Sequence, residues 1–164
     1  MTIAETINQE EEISRALVSQ FTNLADKIKI QRARRMWAEV TLENFRPTFE
    51  YLVNQLGFAA ISTITGLDEG ENFGIIYHLN RDGAIVFSLK TSVPKTNPKI
   101  KTIIQIFPAA DIYERELIDL LGIQVEGLPE GRRYPLPDNW PLDQHPLRKD
   151  WHPEALSGGG TTNV

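Results

Sequence analysis

Apolar residues recur at helical spacing in three stretches of this chain, and three others read as strands bounded by turn-rich segments. In residues 11–25, Ile13, Ala16, Leu17, Phe21 and Leu24 fall at intervals of mostly three and four behind a run of acids. That is the pattern of a short amphipathic helix with acids favourably placed at its start. Leu42 to Leu56 repeats it with Phe45, Phe49, Leu52, Val53 and Leu56, and Gly57 follows as a suitable terminator. Pro47 falls near the first turn, where proline is tolerated. A third helix is predicted over Asp111–Leu121, with Asp111 as cap, Glu114 at the third position as in a capping box, and Gly122 as stop.

The strand candidates are Phe58–Gly66, Asn72–Leu79 and Ala84–Thr91, separated by the turn-rich segments 67–70 and 80–83. Asp82-Gly83 is a strong hairpin signal, so the simplest reading is a three-stranded antiparallel meander backed by the first two helices. In the middle strand Phe73, Ile75 and Tyr77 share a face, leaving Ile76 and His78 opposite, where His78 reads as a surface or satisfied core residue. Residues 28–41 are also β-type in content, with Ile28, Ile30, Met36, Trp37 and Val40.

After Ile123 no period remains. Nine of the ten prolines lie from Pro94 onward, and six of them fall between Pro129 and Pro153. That segment is too long for an ordinary internal loop, and Tyr134, Leu136, Trp140, Leu142, Leu147 and Trp151 make it too apolar for a disordered linker. It reads as an extended arm that gains order by lying on something, its own sheet or another subunit. The expected fold class is therefore α+β: a small, mainly antiparallel sheet packed against helices, with a long proline-rich extended C-terminal arm. The expected division is an α+β domain over 1–126, a docking arm over 127–153, and a flexible tail over 154–164 that contains Gly158 to Gly160.

Composition narrows the chemistry. With 41% apolar and 24% charged residues the chain resembles an ordinary soluble domain, and its net charge of −5 argues against a general nucleic-acid binder. A local exception is Lys27, Lys29, Arg32, Arg34 and Arg35, read as a solvated strand or loop edge with a docking surface as the alternative. The absence of cysteine removes disulfides, thiol nucleophiles and thiolate-held clusters. The acidic N-terminus does not read as a signal peptide, and no stretch approaches the roughly 18–20 apolar residues of a membrane span. Any membrane association is expected to come through a partner.

Catalysis needs a nucleophile, a metal, or acid–base groups held together. His78, His145 and His152 lack metal-ligand spacing, and neither a Gly-x-Ser-x-Gly elbow nor a phosphate-cradling glycine loop is present. Glu114, Arg115, Glu116 and Asp119 crowd one short helix, with Arg115 and Asp119 spaced for an i, i+4 pair. Glu116 and Asp119 are the one carboxylate pair offering acid–base work, against the reading of a capped helix with a solvated or inter-subunit face. His145-Pro146-Leu147-Arg148-Lys149-Asp150-Trp151 alternates charges with rigid residues and suits bidentate pairing of Arg148 with a partner's carboxylate.

Two of these segments resemble a known family. Tyr113-Glu114-Arg115-Glu116-Leu117-Ile118-Asp119-Leu120-Leu121-Gly122-Ile123 is similar to the signature of the 30 kDa subunit of respiratory complex I, and His145-Pro146-Leu147-Arg148-Lys149-Asp150 resembles its C-terminal element. Leu121 replaces the usual phenylalanine. The segment between them, including Leu136-Pro137-Asp138-Asn139-Trp140-Pro141, with Trp151 beyond, is more similar to the homologous subunit of group 4 membrane-bound [NiFe] hydrogenases.

The resemblance implies an accessory subunit of such a hydrogenase, without catalytic, cofactor or metal residues, sitting on the cytoplasmic face against the large, 49 kDa-like catalytic subunit. The nickel–iron centre and iron–sulfur clusters are expected in partner subunits, alongside membrane subunits that translocate ions. Glu114, Arg115, Glu116, Asp119, Gly122, Trp140, His145, Arg148, Lys149, Asp150 and Trp151 become signature or interface residues. The alternative parent is an NADH or ferredoxin:quinone oxidoreductase. A free-standing enzyme using Glu116 and Asp119, and a nucleic-acid module on Lys27 to Arg35, are the readings from other classes.

Overall fold

The computed structural model describes residues 3–154, with side chains from Gln9 onward; the expected tail over 154–164 lies, save Glu154, outside the described residues. The element order is α1 (Ile3–Gln20), β1 (Lys29–Arg32), β2 (Arg35–Glu39), α2 (Leu42–Asn54), β3 (Ala60–Asp68), β4 (Asn72–Arg81), β5 (Ile85–Pro94), β6 (Lys99–Lys101), α3 (Ala110–Leu121) and β7 (Gln124–Glu126). The expected α+β class holds. The first helix begins well before residue 11 and stops at Gln20, with Leu24 buried in a single 3-10 turn instead.

Five strands form one mixed sheet in the order β1-β2-β5-β4-β3. The three-strand meander is present as β3–β4–β5, whose short connections admit only antiparallel neighbours. Asp82 and Gly83 both have positive φ, the type I′ signature that the Asp-Gly pair announces. The β-type segment 28–41 becomes an antiparallel hairpin, β1–β2, and β2 joins the sheet by pairing in parallel with β5 from Arg35↔Val86 to Glu39↔Lys90. That addition corrects the three-strand reading. Nothing local in the sequence marks a parallel contact reached across α2 and two other strands.

The chain divides into two compact units, residues 1–65 with 74–92, and residues 66–73 with 93–164. In the first, Thr41 caps α2 by accepting the Asn44 N–H at 3.4 Å, and Pro47 stands inside the helix. The lost hydrogen bond is offset by α2's buried face: Phe45, Phe49 and Leu52 are all buried. Phe45 and Phe49 meet Tyr77 of β4 at ring-centroid distances of 4.5 and 5.7 Å, and Phe58 meets Phe87 of β5 at 5.8 Å. Phe73, Ile75 and Tyr77 on one face of β4 are fully buried and Ile76 opposite is buried too, while His78 is half-buried between Thr65 and Ser88 at 3.1 and 2.9 Å. Burial holds the His78 imidazole below its usual range.

In the second unit β6 pairs in parallel with β7, a short ladder that the sequence reading missed because three-residue strands carry no period. Gly66 leaves room for α3 there: a Cβ at this position would lie 2.4 Å from Leu121 Cδ1 and 2.6 Å from Leu117 Cδ2, so the leucine ends would have to shift. Phe49→Ala removes a fully buried ring from the first unit, with an expected loss of about 3–5 kcal/mol in denaturant unfolding. A change below 1 kcal/mol would mean that the aromatic cluster is not the core of that unit.

Candidate functional site

The chemistry-bearing motifs converge on the C-terminal end of α3. The last four carbonyls of a helix have no intrahelical partner, and here each has one from elsewhere. Gly122, at φ +73, turns the chain so that its N–H reaches Ile118 O at 2.9 Å and the Ile123 N–H reaches Leu117 O at 3.3 Å. The arm supplies the rest. His145 Nδ1 donates to Asp119 O at 2.9 Å, the Leu147 N–H to Leu120 O at 3.0 Å, and Arg148 Nε to Leu121 O at 2.6 Å. A cation and an imidazole at a helix C-terminus also complement its partial negative charge.

Gly122 is glycine for a second reason. A Cβ there would stand 2.3 Å from Arg148 Nη2 and 2.6 Å from His145 Nε2. The two signature segments are thus the two halves of one latch, a helix end and the chain that closes it.

Asp119, 5% exposed at its side chain, anchors the middle of the arm. It accepts Arg133 Nε at 3.0 Å and the Leu136 N–H at 3.2 Å, while Arg133 also donates to Trp140 O at 2.5 Å. The i, i+4 partner of Arg115 is therefore not Asp119. Arg115 turns back to Asp111, donating at 3.1 and 2.9 Å, and reaches Pro129 O at 3.0 Å. Helical side chains lean toward the N-terminus, which favours the acid one turn earlier. Gly131 makes room for this guanidinium: a Cβ would lie 2.6 Å from Arg115 Nη2.

Two expectations for the start of α3 are corrected. Ala109 is the N-cap and makes no side-chain cap bond, so Asp111 does not cap. Glu114 is no capping-box residue. It is fully buried and accepts Thr102 Oγ1 at 2.5 Å and the Ile103 N–H at 2.8 Å, fixing the chain that enters the helix. Burial pushes its carboxyl above the usual 4.5, against the pull of those two hydrogen bonds.

Further along the arm, Trp140 and Trp151 lie 6.1 Å apart and share Gln144. Trp140 Nε1 donates to its backbone oxygen at 2.8 Å and Trp151 Nε1 to its side-chain oxygen at 2.9 Å. A shallow cleft of about 300 Å³ beside this knot is lined by Asp143, His145, Arg148, Asp150 and His152 among others. The Lys149 side chain and Asp150 are exposed and Glu116 is half-exposed. Asp119 is committed to Arg133 and Leu136, which leaves no free carboxylate pair with Glu116. Among the described residues no group of three His, Asp or Glu is placed to hold a metal ion.

The sequence reading missed Asp68, which lay in a segment read only as a turn. Its side chain accepts Lys95 Nζ at 2.6 Å, the Lys149 N–H at 2.8 Å and the Gly70 N–H at 2.9 Å. Burial works against its ionisation, yet these donors and the Lys95 charge bring it down to about 2. Phe73 takes Lys95 Nζ and Arg148 Cζ at 5.3 Å from its ring centroid.

The sequence pattern of the respiratory-chain NADH dehydrogenase 30 kDa subunit matches residues 38–156. A component of the F(420)H(2) dehydrogenase of Methanosarcina mazei is 30% identical over 85% of this chain and 89% of that protein. The membrane-bound hydrogenase subunit beta of Pyrococcus furiosus is 25% identical over 88% of this chain and 87% of its own length. A chain in the structure of the membrane-bound sulfane sulfur reductase, an archaeal respiratory membrane complex, superposes with a TM-score of 0.77 at 26% identity, covering 90% of this chain and 88% of that one.

Gly122→Ala sets a side chain into a left-handed backbone and against the latch, with an expected loss of about 1–3 kcal/mol and protease cleavage within 127–153. An uncleaved arm would show that the latch does not depend on Gly122. Glu114 titrates with a distinct sign. Because its folded pKa is raised, its contribution is present in full below 4.5 and lost as pH rises through the folded value. Unfolding midpoints should therefore fall from pH 4.5 upward by more in the natural chain than in Glu114→Gln; parallel profiles would refute this. Asp68 acts oppositely, its contribution present above 3.8 and lost as pH falls toward about 2.

Proposed function

The chain belongs to the family of the respiratory-chain NADH dehydrogenase 30 kDa subunit, and from that premise we propose that it is a non-catalytic docking subunit of a membrane-bound, complex I-like redox assembly of the group 4 [NiFe] hydrogenase branch. In this reading residues 127–153 face the large catalytic subunit, which carries the nickel–iron site. Iron–sulfur subunits deliver electrons, and membrane subunits couple the transfer to ion translocation. The chain sits on the cytoplasmic face through these partners; no helix among the described residues is long and apolar enough to cross a membrane.

The observation that carries the hydrogenase branch is the Trp140–Gln144–Trp151 knot. Its two indoles come from the Leu136-Pro137-Asp138-Asn139-Trp140-Pro141 and Pro146-Leu147-Arg148-Lys149-Asp150-Trp151 segments, in which the chain resembles the hydrogenase subunits, and Gln144 lies between them. The full-length likeness to a membrane-bound hydrogenase subunit supports the same branch. Docking is supported by what the latch leaves outside: Tyr134, Leu142 and Leu147 are exposed on an arm already held in place, with Leu142 80% exposed. An ordered arm loses little conformational entropy on binding, so its apolar side chains convert more fully into affinity. The second reading, the equivalent subunit of an NADH or ferredoxin:quinone oxidoreductase, is favoured by the family's own description and by the dehydrogenase relative.

Affinity purification of the tagged chain from solubilised native membranes separates the two. A nickel-containing companion and hydrogen evolution from a reduced viologen are expected; a nickel-free complex that reduces a quinone analogue would assign the second reading instead. Leu142→Asp should lower the yield of companions several-fold while leaving the unfolding of the isolated chain within about 0.5 kcal/mol of the natural one. Undiminished yield would place Leu142 on a free surface.

A further inference from the structure

The β1–β2 hairpin and the turn that leads into it carry five cations, Lys27, Lys29, Arg32, Arg34 and Arg35, in nine residues with no acid among them. All but the half-buried Arg35 are exposed, and among the described residues none of the five forms an ion pair. Without them the chain's net charge would fall from −5 to −10. The segment is thus a local positive excess on a chain that is acidic overall.

The hairpin is also held from beneath. Glu10 of α1 is fully buried, and one of its carboxylate oxygens accepts the Arg34 N–H across 24 positions of sequence. The bond fixes Arg34 at φ +64, a backbone that glycine adopts without strain and arginine does not. Arg35 Nη1 closes onto Arg34 O at 2.8 Å. A tip that only needed to turn would be served better by glycine; here an arginine occupies the strained position and projects its side chain outward.

β1 lies at the sheet edge, but it has four residues and its register breaks between Ile30 and Arg32. A short, bulged edge offers no continuous ladder for strand addition. What it presents is side chains: guanidinium groups that pair bidentately with carboxylates, around an Ile30 that is 39% exposed. We propose that this hairpin docks an acidic patch on a folded protein partner within the assembly, a proposal that rests on the subunit reading above. A bilayer or a polynucleotide presents a continuous anionic surface and would meet the acidic remainder of the chain as well. The chain's net charge of −5 opposes an extended anionic surface, whereas a patch of limited size engages only the segment it covers.

The test uses the native complex purified through the tagged chain. Carbodiimide joins amines to carboxylates at zero length, so it should link Lys27 or Lys29 to an Asp or Glu of another protein, and 0.5 M salt should suppress that link. Arg34→Gly keeps the N–H that Glu10 binds, relieves the strain and deletes one charge. It should leave the melting temperature of the isolated chain equal or higher, yet lower at least twofold the salt concentration that releases the chain from its complex. A chain that purifies alone sinks the subunit reading and the hairpin assignment together. A chain that co-purifies without such links, or whose release is unmoved by Arg34→Gly, sinks the hairpin assignment alone. So does a variant whose loss is instead in binding phosphatidylglycerol vesicles or duplex DNA, or which gains self-association, the mark of cations that only guard an edge.

Discussion

The last turn of α3 ends in carbonyls that no helical N–H can reach, and the second unit is organised by how they are satisfied. Gly122 reverses the chain, its N–H taking Ile118 O while the Ile123 N–H turns back to Leu117 O. His145, Leu147 and Arg148 take the next three in order. Glycine is needed where it stands because the same space holds the imidazole and the guanidinium. A proline-rich segment with no ladder of its own becomes ordered because it supplies what a helix end lacks.

A second device recurs in both units. Four buried acids each accept a backbone N–H from a segment distant in sequence: Glu10 from Arg34, Asp68 from Lys149, Glu114 from Ile103 and Asp119 from Leu136. A buried carboxylate is expensive unless compensated, and compensation differs among them. Asp68 and Asp119 have a lysine and an arginine at 2.6 and 3.0 Å, whereas Glu114 meets a hydroxyl and an amide. That difference is why Asp68 lies well below the ordinary carboxylate range and Glu114 above it. Each of these bonds ties a backbone N–H to a carboxylate from another part of the chain.

The sequence by itself determined a good deal. Three helices and the β3–β4–β5 meander were legible because their apolar periods and the Asp82-Gly83 turn are local signals. The family was legible in two short motifs, since their residue types are those a helix end and its closing segment require. The tertiary structure alone decided the rest. The parallel pairing of β2 with β5 and of β6 with β7 joins segments that no local pattern connects. Asp119 stands at i+4 from Arg115, yet Arg133 claims it from outside the helix, and Asp68 looked like any turn residue until Lys95 and Lys149 folded onto it. Spacing along a helix fixes which side chains can meet within it; burial and competition from the rest of the fold settle which of them do.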